Sequence, residues 1–167
     1  MIPLIDSQNV ATNDTAVIQR LARAISLAAA PNALSEGEFS LLLVCCNPDK
    51  QGQILSLLEE FSMADIKEIV LSPKAKTLYT NVVSVLGSEQ PDALVIRGLE
   101  SVEAINELII STNLMRDEFA KQFKFPLVLF VNEEVLRKLI WLAPDLKDWA
   151  ASTFRFQISS QNLVKCY

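Results

Sequence analysis

The sequence predicts an α/β domain built on a parallel sheet, because short aliphatic runs alternate with helical patterns along the chain. The runs at 39–46 and 126–131 are almost continuously hydrophobic, which is typical of strands that helices cover on both faces. With 50% hydrophobic and 21% charged residues, the chain of 167 residues can bury one substantial core. We therefore predict a single domain over 1–167, a three-layer α/β/α sandwich with a five-stranded parallel sheet.

The strands are expected where aliphatic residues cluster in short runs. In chain order they are predicted at 39–46, 66–71, 93–96, 126–131 and 154–158, so that the sheet core spans 39–158. Prolines support three of these boundaries, because Pro48 and Pro73 follow the first two runs and Pro91 precedes the third.

Helical periodicity fills the intervals between the predicted strands. The segment 1–12 shows little periodicity and is predicted as a loose N-terminal arm, and a helix over 13–30 begins near a Thr, Asn or Asp cap. Further helices are predicted at 53–61, 76–86, 102–123, 133–142 and around 146–150. Helices between strands are what a parallel sheet needs, since parallel neighbours must be joined by crossovers.

Charge and hydropathy argue against two classes of partner. The net charge is −5 and there is no long basic run, so neither nucleic acid nor an anionic membrane surface is favoured. No window approaches the roughly 18 apolar residues of a membrane span. The stretch 20–30 resembles a secretory signal only superficially, because it is short, rich in alanine and preceded by acidic residues. Three cysteines, Cys45, Cys46 and Cys166, agree with a reducing compartment, and we expect a cytoplasmic protein.

The absence of histidine removes several kinds of catalytic site. Ser-His-Asp and Cys-His systems, histidine acid/base chemistry and histidine-containing zinc sites all need an imidazole. Cys45 and Cys46 could be imagined as a metal or redox pair, but adjacent strand residues point to opposite faces. We interpret both as buried packing residues, and we predict no catalytic residue and no metal ligand.

The segment after the first predicted strand departs from the phosphate-binding loop of nucleotide hydrolases. When 47–54 is aligned with G-x-x-x-x-G-K-[ST], only Gly52 matches, while Asn47 replaces the first glycine. Gln53 stands in place of the phosphate-binding lysine and Ile54 in place of the magnesium-binding hydroxyl. We therefore expect neither tight Mg-ATP binding of the usual kind nor any other cofactor.

The third predicted strand ends in Arg97-Gly98-Leu99-Glu100, where a nucleotide hydrolase carries an aspartate that holds magnesium. A cation at Arg97 would repel the metal, so the chain is predicted not to be an enzyme. With no metal to hold, Arg97 is expected to pair locally with Glu100 or Asp49. Glu100 could instead serve as a remnant general base, but a solvated carboxylate near a helix start is the favoured interpretation.

Three residues after the first strand are weak candidates for anion binding. Asn47, Lys50 and Gly52 lie where free N–H groups at a helix start could hold a phosphate. The alternative, which we favour, is that 47–49 simply caps the helix with Pro48 in its first turn.

The second half of the chain contains three motifs that occur together. They are Asn113-Leu114-Met115-Arg116-Asp117, then Phe125-Pro126-Leu127-Val128-Leu129-Phe130, then Ala143-Pro144-Asp145-Leu146-Lys147-Asp148-Trp149. This combination resembles the NTPase-like domain at the front of many bacterial STAND and tetratricopeptide-repeat proteins. That family has an N-L-x-R-[DE] helix, a P-x-P-L-V-L-W strand and an A-P-D-x-W-x-W segment.

The resemblance covers about 21–160 and departs from the family at several aromatic positions. Phe130 and Lys147 stand where the family often has aromatic residues, the first of them tryptophan, and 150–151 lacks its Trp-Arg continuation. The resemblance implies an AAA+/STAND-type, P-loop NTPase-like fold with strand order 5-1-4-3-2. It also implies a module that normally serves a larger multidomain protein.

Four residues of these motifs are candidates for contact with a partner: Arg116, Asp117, Asp145 and Trp149. Arg116 and Asp117 could act as an arginine finger and its orienter, but a structural ion pair or cap around Asp145 is favoured. Trp141 and Trp149 could each anchor a partner, but Trp141 follows apolar residues at helical spacing and is predicted in the core.

Two functions follow from these features. The first is a non-catalytic, pseudo-ATPase-like interaction domain that acts as a scaffold or adaptor for another protein in a bacterial defence, signalling or regulatory assembly. The alternative is a divergent nucleotide-binding ATPase domain that a partner completes. We favour the first.

Overall fold

A computed structural model describes residues 2–29 and 38–156, with side chains described over 14–28, 38–150 and 152–156. Five strands form one sheet in the order β2-β3-β4-β1-β5, and all neighbours are parallel. The strands are β1 Ser40–Cys45, β2 Ile66–Val70, β3 Ala93–Arg97, β4 Pro126–Val131 and β5 Ala150–Arg155. The predicted order 5-1-4-3-2 and the α/β class are therefore confirmed.

Seven α-helices are described around this sheet. They are α1 Ile2–Ala29, α2 Gln51–Phe61, α3 Leu78–Leu86, α4 Ile105–Leu114, α5 Arg116–Gln122, α6 Glu133–Leu142 and α7 Pro144–Asp148. Short 3₁₀ turns at Pro48–Lys50 and Leu99–Ser101 follow β1 and β3. Among the described helices, none is both long and apolar enough to cross a membrane.

Two cores lie on opposite faces of the sheet, because successive side chains of a strand point to opposite sides. On β1, Leu41, Leu43 and Cys45 join the core with α3 to α7. Leu42, Val44 and Cys46 join the core with α1 and α2. The prediction that Cys45 and Cys46 face opposite ways is confirmed, and Cys166 lies outside the described residues.

Helix α1 is longer at its beginning than the sequence predicted. It starts at Ile2, so it includes most of the segment 1–12 that was expected to be a loose arm. Pro3 falls in the first turn, where its missing N–H has no helical partner to lose. The Thr-Asn-Asp signal at 12–14 therefore lies inside the helix rather than at its start.

The long helix predicted over 102–123 is broken at Met115, which has φ −95° and ψ 8°. The hydroxyls of Ser111 and Thr112 both donate to the Leu108 carbonyl, at 3.0 and 2.7 Å, and such bonds compete with helical bonding. In addition, the Arg116 guanidinium donates to the Asn113 carbonyl at 2.6 Å. The carbonyl groups that a continuous helix would use are thus partly engaged by side chains.

The last strand begins four residues earlier than predicted, at Ala150 rather than 154. The small and polar residues at its start are only a weak signal for a strand. Pairing with β1 keeps them in strand conformation, with Leu41 beside Ala150 and Leu43 beside Thr153. The predicted end at 157–158 lies outside the described residues. The short helix expected around 146–150 is α7, which starts at Pro144.

Candidate functional site

The segment after β1 passes directly from strand to helix. Asn47 is extended, residues 48–50 form a 3₁₀ turn, and α2 begins at Gln51. The Lys50 N–H donates to the Asn47 carbonyl at 2.9 Å, so it bonds within the chain. Asn47 occupies the capping position before Pro48, as favoured, although its side chain makes no capping hydrogen bond to the described backbone.

Arg97 lies at the carboxyl end of β3 and joins a polar network that spans β2, β3, α2 and the 3₁₀ turn after β3. Its guanidinium forms an ion pair with Glu68 of β2, and its Nε lies 3.5 Å from Oε1 of Gln51. Gln51 in turn donates from Nε2 to Oε1 of Glu100 at 3.1 Å. We call Glu68, Arg97, Gln51 and Glu100 the strand-end network. Gln51 is only 2% exposed, so this network is anchored in the protein interior.

The prediction that Arg97 pairs directly with Glu100 was wrong. The structure pairs Arg97 with Glu68, whereas Glu100 reaches it only through Gln51. Glu68 stands two residues before Val70, which lies beside Arg97 in the register of β2 and β3, so both side chains point to the same face. Sequence reasoning missed Glu68 and Gln51. The alternation of side chains along β2 would have placed Glu68 on the same face as Arg97 if β2 and β3 had been taken as neighbouring strands.

A second polar cluster lies at the carboxyl ends of β1 and β5. The Cys45 thiol donates to Oε2 of Glu133 at 3.2 Å, and Arg155 forms an ion pair with the same carboxylate. Burial, followed by the neighbouring Glu133, raises the pKa of Cys45 to about 11. Burial, followed by the charge of Cys45, raises the pKa of Cys46 to about 12. Both thiols stay protonated near neutral pH, and a protonated thiol is a poor nucleophile.

Carboxylates occupy the beginnings of the helical segments at this edge of the sheet. Asp49 lies in the 3₁₀ turn after β1, Glu100 in the turn after β3, and Glu133 and Glu134 in the first turn of α6. Helix starts favour anions because their N–H groups and dipole are positive. Here the chain's own carboxylates sit at those positions, and an incoming phosphate would meet negative charge.

The motifs at 113–117 and 143–149 meet in space. Oδ1 of Asn113 accepts the Leu146 N–H at 2.8 Å, at the start of α7, and Arg116 lies 3.7 Å from Asp145. The structural ion pair favoured from the sequence is therefore present between Arg116 and Asp145. Asp117 lies in the first turn of α5. These contacts fasten α7 to the junction of α4 and α5.

Replacing Asn113 by alanine should lower the free energy of unfolding by about 1–2 kcal/mol, because the Leu146 N–H loses its acceptor. Urea unfolding followed by circular dichroism would measure the change. Asn106→Ala is the matched control, since Asn106 is exposed on the same helix and should leave stability unchanged or slightly higher. Equal losses in both variants would contradict a capping role for Asn113.

The two tryptophans lie in different environments. Trp141 is 83% exposed, so its predicted core position was wrong. The buried stripe of α6 consists of Val135, Leu136 and Leu139, and a residue two positions beyond Leu139 lies on the opposite side of the helix. Trp149 packs edge-on against Phe39, with ring centroids 6.1 Å apart.

Within the described part of the chain, no group of three or more Cys, Asp or Glu side chains is arranged to hold a metal ion. Comparisons with family models, with curated proteins and with solved structures find no match.

Proposed function

We propose that this chain is a non-catalytic, pseudo-ATPase-like domain that binds another protein as a scaffold or adaptor. The observation that supports this most directly is the strand-end network. In this network Arg97, at the end of β3 where a hydrolase would carry its magnesium carboxylate, forms an ion pair with Glu68. The guanidinium is thereby held by the chain's own groups at the edge where α/β proteins bind ligands.

The positions aligned with the phosphate-binding loop support the same conclusion. The Ile54 side chain is completely buried in the core beneath α2, and Gln53 is exposed on the helix. Neither residue supplies the charge or the hydroxyl that grips phosphate and magnesium in active relatives. Gly52 lies inside α2, and a Cβ added there would stand 3.8 Å from Nη2 of Arg97.

The resemblance to the NTPase-like domain of STAND and tetratricopeptide-repeat proteins adds the biological setting. A domain with this strand order that has lost nucleotide chemistry can still serve as a rigid scaffold, since function depends on the site rather than the fold. We therefore place it in a larger bacterial assembly with a defence, signalling or regulatory role.

Titration calorimetry with Mg-ATP tests the loss of nucleotide chemistry. We expect a Kd weaker than about 1 mM, equivalent to roughly −4 kcal/mol, because ATP would have to displace the strand-end network and approach several carboxylates. A magnesium-dependent Kd near 1 μM, about −8 kcal/mol, would instead favour a divergent ATPase. Addition of ADP and of ATP without magnesium would show whether any heat depends on the metal and on the γ-phosphate.

A further inference from the structure

Exposed apolar side chains gather at the amino edge of the sheet, the edge at which its strands begin. Helices α2, α3, α4 and α6 each follow a strand and return the chain to this edge, as connections between parallel strands must. Of the eleven large apolar side chains that are exposed among the described residues, eight lie in the last turn of one of these helices or in the segment that follows α2 or α7. The exceptions are Leu27, Val70 and Ile110. Exposed apolar surface therefore concentrates at the edge opposite to the strand-end network, and such surface is typical of protein contacts.

Charge separates one corner of this edge from the rest. We call residues 59–67 and 87–92, which lead into β2 and β3, the β2–β3 corner. It contains five carboxylates and one basic side chain, Lys67, which already pairs with Glu89 at 2.8 Å. Segments 115–125 and 143–149, which lead into β4 and β5, together contain four acidic and four basic side chains. Negative charge therefore accumulates in the corner and not along the whole edge.

The two segments of the β2–β3 corner form one continuous surface. The Asp65 N–H donates to Oδ2 of Asp92 at 2.8 Å, and the ion pair of Lys67 is a second link between them. Within the corner, Phe61 is partly exposed and Met63 is completely exposed. Both stand between the carboxylates at 59–60 and Asp65 in the chain, so the corner combines apolar and acidic side chains.

Basic side chains around the corner do not neutralise it. Lys124 borders it, because its N–H donates to Oε1 of Gln90, but its ammonium group donates to the Ala120 carbonyl at 3.3 Å. Arg20 and Arg23 lie on α1, which contacts α2, and neither forms an ion pair with a carboxylate of the corner. Four of the five carboxylates therefore have no ion-pair partner among the described residues.

The ends of two helices add to the negative potential of the corner. Helix α2 ends at Phe61 and α3 at Leu86, and neither carries a basic residue in its last turn. The carbonyl groups at the end of a helix carry partial negative charge and favour a nearby cation. At the opposite edge the chain's own carboxylates lie at the helix starts, whereas α2 and α3 have no such compensating charge at their ends. A partner can supply these cations.

We propose that the β2–β3 corner docks a basic amphipathic helix of a partner protein. The apolar stripe of that helix packs on Phe61 and Met63, whose flexible thioether adapts to different shapes. Its Lys or Arg side chains lie beside the four carboxylates and the ends of α2 and α3. The corner consists mainly of a helix end and turns, which present side chains, and a helix that satisfies its own backbone can use such a surface. The proposal rests on the interaction role proposed above and adds the chemistry of the partner.

Fluorescence anisotropy with a model peptide tests the proposal. The probe is a labelled peptide of about 18 residues in which Leu and Lys follow the spacing of an amphipathic helix, titrated with the chain at about 0.15 M salt. We expect a Kd of about 10 μM. A peptide with Glu in place of Lys, and one with the same Leu and Lys content in shuffled order, should each bind at least about tenfold more weakly.

Charge reversal at the corner identifies the binding surface. Glu59→Lys together with Glu60→Lys should raise the Kd for the Leu–Lys peptide at least about tenfold. The matched control is Glu107→Lys with Glu134→Lys, which makes the same change in net charge in the first turns of α4 and α6. It should change the Kd less than about threefold, because salt screens exposed charges beyond about 8 Å.

Removal of an exposed apolar group is the second test. Met63→Ser should raise the Kd about fivefold, whereas Val70→Ser, at the other end of β2, should leave it unchanged. No binding of the Leu–Lys peptide, equal binding of the shuffled peptide, or equal losses in both charge-reversed variants would each overturn the proposal. None of these outcomes alters the Mg-ATP titration, and ATP binding would leave the peptide Kd unchanged, so the two proposals fail separately.

Discussion

Replacement of Phe119 by alanine is expected to lower the free energy of unfolding by about 3–5 kcal/mol, the usual cost of removing a buried aromatic ring. Phe119 on α5 is 1% exposed. Its ring lies 5.3 Å from that of Tyr79, 5.5 Å from Phe123 and 6.2 Å from Phe39. The variant therefore loses ring contacts to α3, to the end of α5 and to the segment before β1, and leaves a cavity among them.

Phe61→Ala is the matched control for this prediction. Phe61 ends α2 and is 45% exposed, so the same chemical change should cost less than about 1.5 kcal/mol. Phe119→Leu, which keeps most of the volume, should also cost less than about 1.5 kcal/mol and guards against a variant that fails to fold. Urea unfolding of all three variants measures the differences. A loss below about 1 kcal/mol for Phe119→Ala would contradict a tightly packed ring cluster.

Replacement of Gly98 by alanine should lower the free energy of unfolding by roughly 2–4 kcal/mol, through backbone strain and crowding together. Gly98 has φ +87°, and an added Cβ would lie 3.1 Å from the Leu71 carbonyl oxygen and 3.2 Å from its nitrogen. Those backbone atoms have little room to move, because the Leu71 N–H donates to the Arg97 carbonyl at 2.9 Å. Glycine is therefore required at position 98, because the backbone at the end of β2 passes close to it.

Gly52→Ala is the control with the opposite expected sign. Gly52 lies in α2, and its added Cβ would meet only Nη2 of Arg97 at an ordinary 3.8 Å. Alanine is the better helix former, so stability should stay the same or rise by up to about 1 kcal/mol. Thermal and urea unfolding would compare the pair. If Gly98→Ala were as stable as the wild type, the close approach of β2 to the β3 turn would be refuted.

Much of the fold followed from patterns carried by contiguous residues. The strands 126–131 and 66–71, and the helix 133–142, were placed within one residue of their observed bounds. Continuous apolar runs and helical spacing are local signals, and they agree with the burial that the sheet imposes. The strand order came with the family resemblance, because many orders share the same alternation of strands and helices.

The candidate site could be located only in part. Arg97, Glu100 and the 47–54 segment were identified because chemistry in parallel α/β sheets lies at the strand ends. The partner of Arg97 is on another strand, 29 positions away in the sequence, and its choice depends on which strands are neighbours. Gln51 was missed because a buried amide at a helix start has no periodic signal.

The sequence by itself determined the class of the fold, the order of its elements and the absence of a lysine and a hydroxyl at 53–54. Each of these depends on residue type and short-range spacing, and local propensity and burial act directly on these two properties. Tertiary structure decided the ion pair between Arg97 and Glu68, the start of β5 at Ala150 and the exposure of Trp141. These depend on contacts between distant segments, whose energies become available only once the sheet has brought them together.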